Sequence, residues 1–269
     1  MDILYAVLLG VVQGLTEFLP VSSSGHLVLL QRIFGVQEPS LFFDTMLHAG
    51  TLIAVFVVLR KDIWEILKKP FQKLTGFLIL ATIPAVIAAL TFKDFIEDLF
   101  LSARLLGFCF LITASLLVTA ELLSRRAKKA GNFKKAESMS WLDALVIGVM
   151  QALAIPPGIS RSGATISGAL FRKLDRDFAA RFSFMLSIPA ILGAVVLHTK
   201  DLVTAEAADF GIGAGAVIAG TATAAIVGFF AIKFMLKIIR EKSLFGFAIY
   251  TAVLGISVII DQFATRLVF

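Results

Sequence analysis

Six apolar runs of 17 to 22 residues, at 41–59, 74–92, 104–123, 178–198, 211–232 and 244–260, constrain this chain more than any other feature. As helices rising 1.5 Å per residue, each is long enough to cross the roughly 30 Å hydrocarbon layer of a bilayer. A soluble helical domain would have to bury all six with almost no amphipathic surface between them. The composition agrees, with 58% hydrophobic residues and 16% charged, where soluble domains carry about 25% charged. The chain opens Met1-Asp2-Ile3 and has no Lys or Arg before Arg32. A basic leader is therefore not expected, and the first apolar segment should remain in place. Cys109 is the only cysteine, which removes an intrachain disulfide and any thiolate cluster.

Charge alternates between the runs. Residues 60–73 hold five basic and two acidic groups, 124–140 six and one, and 233–243 four and one. Residues 93–103 and 199–210 each hold one basic against three acidic groups. Basic short loops stay in the cytoplasm, so the net charge of +6 reads as topology and not as nucleic-acid binding. Segment 172–181, with four basic and two acidic residues, also belongs to the cytoplasm, although 141–171 precedes it from a cytoplasmic start. A segment that leaves and re-enters one side is not a single crossing. Its centre, AIPPGISRSGATISG, would break a spanning helix, and irregular backbone at membrane depth must be buried in protein or line a wet cavity. Residues 3–34 behave alike from the outer face, with LTEFLPVSSSGH interrupting an apolar stretch. The expected fold is all-α: six transmembrane helices plus two re-entrant helix–loop–helix hairpins, with both termini external.

At an offset of 138 residues, GVVQGLTEFLPVSSSG (10–25) lies over GVMQALAIPPGISRSG (148–163) without a gap. Identical residues fall on Gly10/Gly148, Gln13/Gln151, Ser22/Ser160, Ser24/Ser162 and Gly25/Gly163. With the charge rule, this predicts one membrane domain over 1–269. Its inverted-topology repeats, about 1–123 and 141–269, are joined by the basic loop 124–140. In such repeats broken helices meet near the midplane and form the binding site.

The first hairpin brings Gln13, Glu17, Ser22, Ser23, Ser24, Gly25 and His26; the second brings Ser160, Arg161, Ser162, Gly163 and Thr165. Ionisable groups at membrane depth are costly and mark function. The set suits phosphoryl transfer. A serine hydroxyl is a nucleophile that a carboxylate or imidazole can deprotonate. Glycine turns at helix starts make anion nests, and Arg161 offers a planar cationic fork for phosphate oxygens. Asp44 and His48, spaced i, i+4 on the second apolar run, serve either as packing partners or as supports of the site.

At these residues the chain resembles the undecaprenyl-diphosphatase (bacitracin-resistance) family. The likeness is carried by EFLPVSSSGH, by Gln13 and Glu17 as its (E/Q)xxxE motif, by PGISRSGAT at 157–165 and by the run FFDTMLHAGTLIAV. It implies hydrolysis of undecaprenyl diphosphate to the monophosphate carrier of peptidoglycan synthesis, in the bacterial cell membrane, at a site open to the outer face. It further implies a divalent cation, Mg2+ or Ca2+, with Glu17 as a ligand. Ser23 matches the nucleophile, Glu17 and His26 its acid/base partners, and Arg161 the phosphate clamp. Gln13, Ser22, Ser24, Gly25, Ser160, Ser162, Gly163 and Thr165 would bind substrate. Gln13 stands where some members have Glu; an amide cannot act as a base, which shifts the weight to Glu17. The partners expected are a polyprenyl diphosphate lipid, the membrane and a second copy of the chain in a homodimer. SSGH and Ser160-Arg161 also echo the type-2 phosphatidic-acid phosphatases, but no His follows Arg161 at their spacing, since position 167 is Ser. The rival reading is a polyprenyl-phosphate transporter or flippase without hydrolysis, because transporters share the inverted-repeat plan.

Overall fold

A computed structural model describes residues 2–35, 41–204 and 213–269. The described residues form helices and no sheet; one isolated bridge pairs Lys134 with Leu174. The helices run α1 Ile3–Thr16, α2 Ser23–Ile33, α3 Leu41–Val58, α4 Arg60–Lys68, α5 Lys73–Thr91, α6 Lys93–Ser102, α7 Leu106–Lys129, α8 Trp141–Leu153, α9 Arg161–Phe171, α10 Arg176–Thr204, α11 Ala214–Glu241 and α12 Phe245–Ile260. Five spans among the described residues are long and apolar enough to cross a membrane, based on α5, α7, α10, α11 and α12. Counting α3 with α4, from which it is bent by 78°, makes six.

Two expected loops are largely helical. Segment 60–73 contains α4 and segment 93–103 contains α6. In α4 the apolar Ile63 and Ile66 pack on the core while Trp64 is exposed, the pattern of a helix lying along an interface. Charge counting cannot see such a helix, because its polar face carries the very Lys and Arg that mark a loop. Helix α7 also outruns its apolar stretch to Lys129, with Arg126, Lys128 and Lys129 in the last turn, where cations suit the helix dipole. The acidic segment 199–210 lies partly outside the described residues.

Helices α1 and α2 are 14 and 11 residues long, α8 and α9 are 13 and 11. At about 1.5 Å per residue none reaches across a bilayer. Each pair returns to its starting level. Tyr5 near the start of α1 meets Phe34 just past α2, ring centroids 5.2 Å apart. Asp143 in the first turn of α8 pairs with Arg172 just past α9 at 2.7 Å. The pairs are pressed into the bundle by small residues, which let backbones approach closely. A Cβ on Gly10 would stand 2.5 Å from the Gly220 carbonyl oxygen, and one on Gly14 2.8 Å from Val227 Cβ, so α1 lies tight on α11. Likewise Gly148 seats α8 against Ala81 of α5.

Helix α7 serves as a ruler for the whole. Near its start, Gln262 donates to the Ala103 carbonyl oxygen at 2.8 Å and Arg32 reaches Leu101. About 10 Å along the helix, Thr113 holds the second helix break, donating to Gly158 O and accepting from Ser160 N, both at 3.0 Å. At its far end the basic segments converge. Glu121 pairs with Arg125 and Arg176, Arg181 with Asp62 and Asp177, Arg240 with Asp177, and Lys134 with Asp143. Burial works to raise the Asp143 pKa, but hydrogen bonds from Lys134, Arg172 and Ser140 outweigh it and hold the carboxyl at about 2.

Candidate active site

The two helix breaks meet. Ser162 Oγ donates to the Leu19 carbonyl oxygen at 3.1 Å. A Cβ on Gly25 would stand 2.8 Å from Gly158 Cα, so only glycine allows this approach, and Gly158 itself has φ +93°, open to glycine at little cost. The same local bonds recur at the 138-residue offset. Ser22 Oγ caps α2 by accepting from Gly25 N (3.2 Å), and Ser160 Oγ caps α9 by accepting from Gly163 N (3.0 Å). Each capping hydroxyl lies by the serine two residues on, Ser24 at 3.3 Å and Ser162 at 3.2 Å. The first break is the more contorted, since Ser22 has φ +72°, a conformation that costs a non-glycine residue about 1–3 kcal/mol. Substituting one cap by Ala removes about 1 kcal/mol of helix stability.

Glu17, 6% exposed, is the hub. Its Oε1 accepts from Arg161 Nη2 at 2.6 Å. Its Oε2 accepts from Ser23 Oγ at 2.6 Å and Gln13 Nε2 at 3.0 Å. His48 Nε2 stands 3.6 Å from the same oxygen. Arg161 is steadied by donating Nη1 to the Ser183 carbonyl oxygen at 3.2 Å. Ser23 and Arg161 occupy equivalent positions of the two repeats, and they meet through one carboxylate. Removing one partner from so buried a pair would cost about 3–5 kcal/mol, because the survivor stays charged and desolvated.

The other expected site residues are placed differently. His26 does not join Glu17. Its Nδ1–H donates to the Ser22 carbonyl oxygen at 2.7 Å, and Nε2 lies 2.7 Å from the Tyr250 hydroxyl, which donates to the neutral ring. The ring also stacks on Tyr250, 5.7 Å between centroids. Thr165 is fully buried inside the second half, bonded to Arg161 O and to Ser183 Oγ at 2.6 Å. Ser22, Ser160, Ser162 and Gly163 are buried and engaged in the loop bonds above; Gly25 seats the contact with Gly158. Tyr250, Thr113 and Ser183 escaped the sequence reading, being single hydroxyls in apolar helices with no motif around them. Among the described residues no three His, Cys, Asp or Glu side chains converge as a metal site. The Gln13 carbonyl oxygen Oε1, in a fully buried side chain, has no hydrogen-bond partner.

These features define a class: a polytopic helical membrane protein with a hydroxyl, a carboxylate and a guanidinium joined inside it. The family described as Bacitracin resistance protein BacA matches residues 6–257, and this chain belongs to it. Similar proteins include the undecaprenyl-diphosphatase of Carboxydothermus hydrogenoformans, 49% identical over 99% of this chain and 100% of its own length. Undecaprenyl-diphosphatase 3 of Bacillus cereus is 46% identical over 98% of each. The undecaprenyl-diphosphatase of Halothermothrix orenii is 42% identical over 97% of this chain and 98% of its own.

Proposed function

We propose that this chain hydrolyses undecaprenyl diphosphate to undecaprenyl phosphate and inorganic phosphate, and that Ser23, Glu17 and Arg161 carry the reaction. The observation that carries the reading is the Ser23 hydroxyl directed onto a buried carboxylate whose other oxygen is held by Arg161. Full-length similarity to proteins named undecaprenyl-diphosphatase supports the substrate. A flippase has no need of a nucleophile seated on a base.

In this reading Glu17 Oε2 takes the Ser23 proton as Oγ attacks the terminal phosphorus. The bond from that phosphorus to the bridging oxygen breaks, and the lipid monophosphate leaves with the electron pair and takes the proton from Glu17. The restored carboxylate then deprotonates a water that attacks the phosphoserine, and as phosphate leaves, that proton passes from Glu17 to Ser23 Oγ. Arg161 neutralises charge on the transferring oxygens, with donors not spent on Glu17 or Ser183. His26, anchored on Ser22 and Tyr250, sets the shape of the loop that presents Ser23. In the same reading the first backbone N–H groups of α2 and α9 would meet the phosphoryl group at the junction.

A divalent cation fits this donor set, on the ground of the buried, unpartnered Gln13 Oε1 beside the Glu17 carboxylate. Gln13 and Glu17 would hold it, and when bound it would offset diphosphate charge. The single carboxylate makes the set weaker than a two-carboxylate one.

The same reading places α1–α2 and α8–α9 as re-entrant hairpins of an inverted repeat within one membrane domain, the site opening outward and both termini external. Its support is threefold: each pair begins and ends at one level, the breaks meet partway along α7, and the segments counted as cytoplasmic are joined by ion pairs at one end of α7. The deciding experiment is phosphate release from undecaprenyl diphosphate by the purified protein, with and without chelator. No release in either condition, with the protein monodisperse and metal-replete in one arm, rejects the hydrolase.

A further inference from the structure

His48 sits on α3, directly against Glu17, in the run FFDTMLHAGTLIAV whose Asp44 and His48 the sequence left open between packing and support of the site. Its Nδ1 lies 2.8 Å from the carbonyl oxygen of Asp44. A carbonyl only accepts, so Nδ1 donates and Nε2 is left to the site, where Glu17 Oε2, itself an acceptor, stands 3.6 Å away. Beside them lies Gln13, whose amide nitrogen donates to the same Oε2 at 3.0 Å. Its carbonyl oxygen is left buried with no partner. His48 Nε2 and the unpartnered Gln13 Oε1 thus flank the Glu17 carboxylate, three donor groups that a cation can join.

A proton on Nε2 would answer only part of this. Charge-assisted N–H···O bonds run about 2.7–2.9 Å, shorter than the 3.6 Å observed, and a proton there leaves Gln13 Oε1 unpaired. Ligands about 2.1 Å from a shared cation stand on the order of 3.0–3.5 Å apart, close to the spacing seen. The anchoring is also that of a metal-binding imidazole, whose second nitrogen commonly donates to a backbone carbonyl and fixes the tautomer. Asp44 is held in turn, since Gln31 of α2 donates to both its carboxylate oxygens at 3.1 Å.

We propose that His48 Nε2 is a ligand of the divalent cation, sharing it with Glu17 Oε2 and Gln13 Oε1. This rests on the cation-assisted reading above and adds a nitrogen donor where position 13 lacks a carboxylate. The consequence is a choice of metal. An imidazole in the set favours Co2+ and Zn2+ over the oxygen-seeking Mg2+, Ca2+ and Mn2+.

The test uses tag-free full-length protein in detergent with Mn2+ as the probe. Pulsed EPR of the wild type should show a nitrogen coupling that changes when histidine is 15N-labelled. His48→Gln should remove that coupling and weaken Mn2+ binding tenfold or more by titration, whereas His26→Gln should leave both intact. Bound Mn2+ without a histidine coupling in the wild type overturns the proposal, and needs no variant to fold. So does unaltered affinity in His48→Gln, or a wild type that binds no Mn2+ at millimolar concentration, the result of a proton as sole occupant. Phosphate release is followed on the same wild-type sample. Hydrolysis without the histidine coupling rejects only the ligand, and coupling without hydrolysis rejects only the hydrolase.

Discussion

Ser23 Oγ lies 2.6 Å from Glu17 Oε2, a nucleophile and a base six residues apart brought together by the break between α1 and α2. Ser22 and Ser24 flank it but point into the loop, one capping α2 and both near each other. Ser23→Ala should therefore lower kcat on the order of 10³-fold or more, about 4 kcal/mol of barrier, while diphosphate-lipid binding persists. Ser22→Ala and Ser24→Ala should keep measurable turnover. Purified variants assayed side by side decide it. A Ser23→Ala enzyme retaining a tenth of wild-type kcat would transfer the nucleophile's role to a water activated by Glu17.

Arg161 holds Glu17 with one terminal nitrogen and Ser183 with the other, a geometry that a planar fork allows and an ammonium does not. Arg161→Lys keeps the charge, yet kcat/KM should fall by about 2–4 kcal/mol equivalent. Steady-state kinetics measure it, and a variant within twofold of wild type would remove Arg161 from the phosphate site.

His26 acts through the loop in this structure, since both its nitrogens are committed to Ser22 and Tyr250. Asparagine can reproduce the Nδ1 donor. His26→Asn should stay within about tenfold of wild-type kcat, a barrier change below about 1.4 kcal/mol, with its pH–rate profile unchanged in shape. Loss of one limb of that profile would make His26 an acid or base in the reaction.

Charge counting puts 60–73, 124–140, 172–181 and 233–243 on one side of the membrane. The ion pairs Arg181–Asp62 and Arg240–Asp177, and the backbone hydrogen bonds of Lys134 with Lys173 and Asp175, bring those segments together. The alternation was legible because topology is set by free energies of whole segments, which sum over many residues. The repeat was legible because caps and close approaches demand particular residues, Ser at 22 and 160 and Gly at 25. Glu17 and Arg161 stand out in the sequence for the cost of burying them, and the structure pairs them at 2.6 Å. What stayed illegible depended on rotation about helix axes. Nothing in the pattern told that His26 would turn toward Tyr250 and His48 toward Glu17, since each lies one turn from an equally plausible direction. Helices α4 and α6 were hidden for another reason: short and half polar, they carry the composition of loops.

The orientation itself is open to labelling. In a Cys109→Ser background, Glu97→Cys on α6 should react with an impermeant thiol reagent added to intact cells, and Ala130→Cys, just past α7, should not. Both positions are exposed in the structure, so accessibility is set by the side of the membrane. Labelling at position 130 from outside would reverse the proposed topology.

Asp143 ties the start of α8 to Lys134 at 2.9 Å and Arg172 at 2.7 Å, and completes a capping box with Ser140. With the carboxyl fully buried, Asp143→Asn leaves two cations without their counter-charge and should destabilise the protein by about 3–5 kcal/mol at neutral pH. The sign of the pH dependence follows from the depressed folded-state value of about 2, against about 3.9 when unfolded. Between these values the unfolded chain binds the proton more readily, so the stabilisation is complete above about pH 4 and is lost as pH falls toward 2. Thermal unfolding in detergent should show a wide gap between wild type and Asp143→Asn at pH 7 that narrows toward pH 3. A gap independent of pH would mean that shape at the cap, and not ionised Asp143, holds this end of the α8–α9 pair.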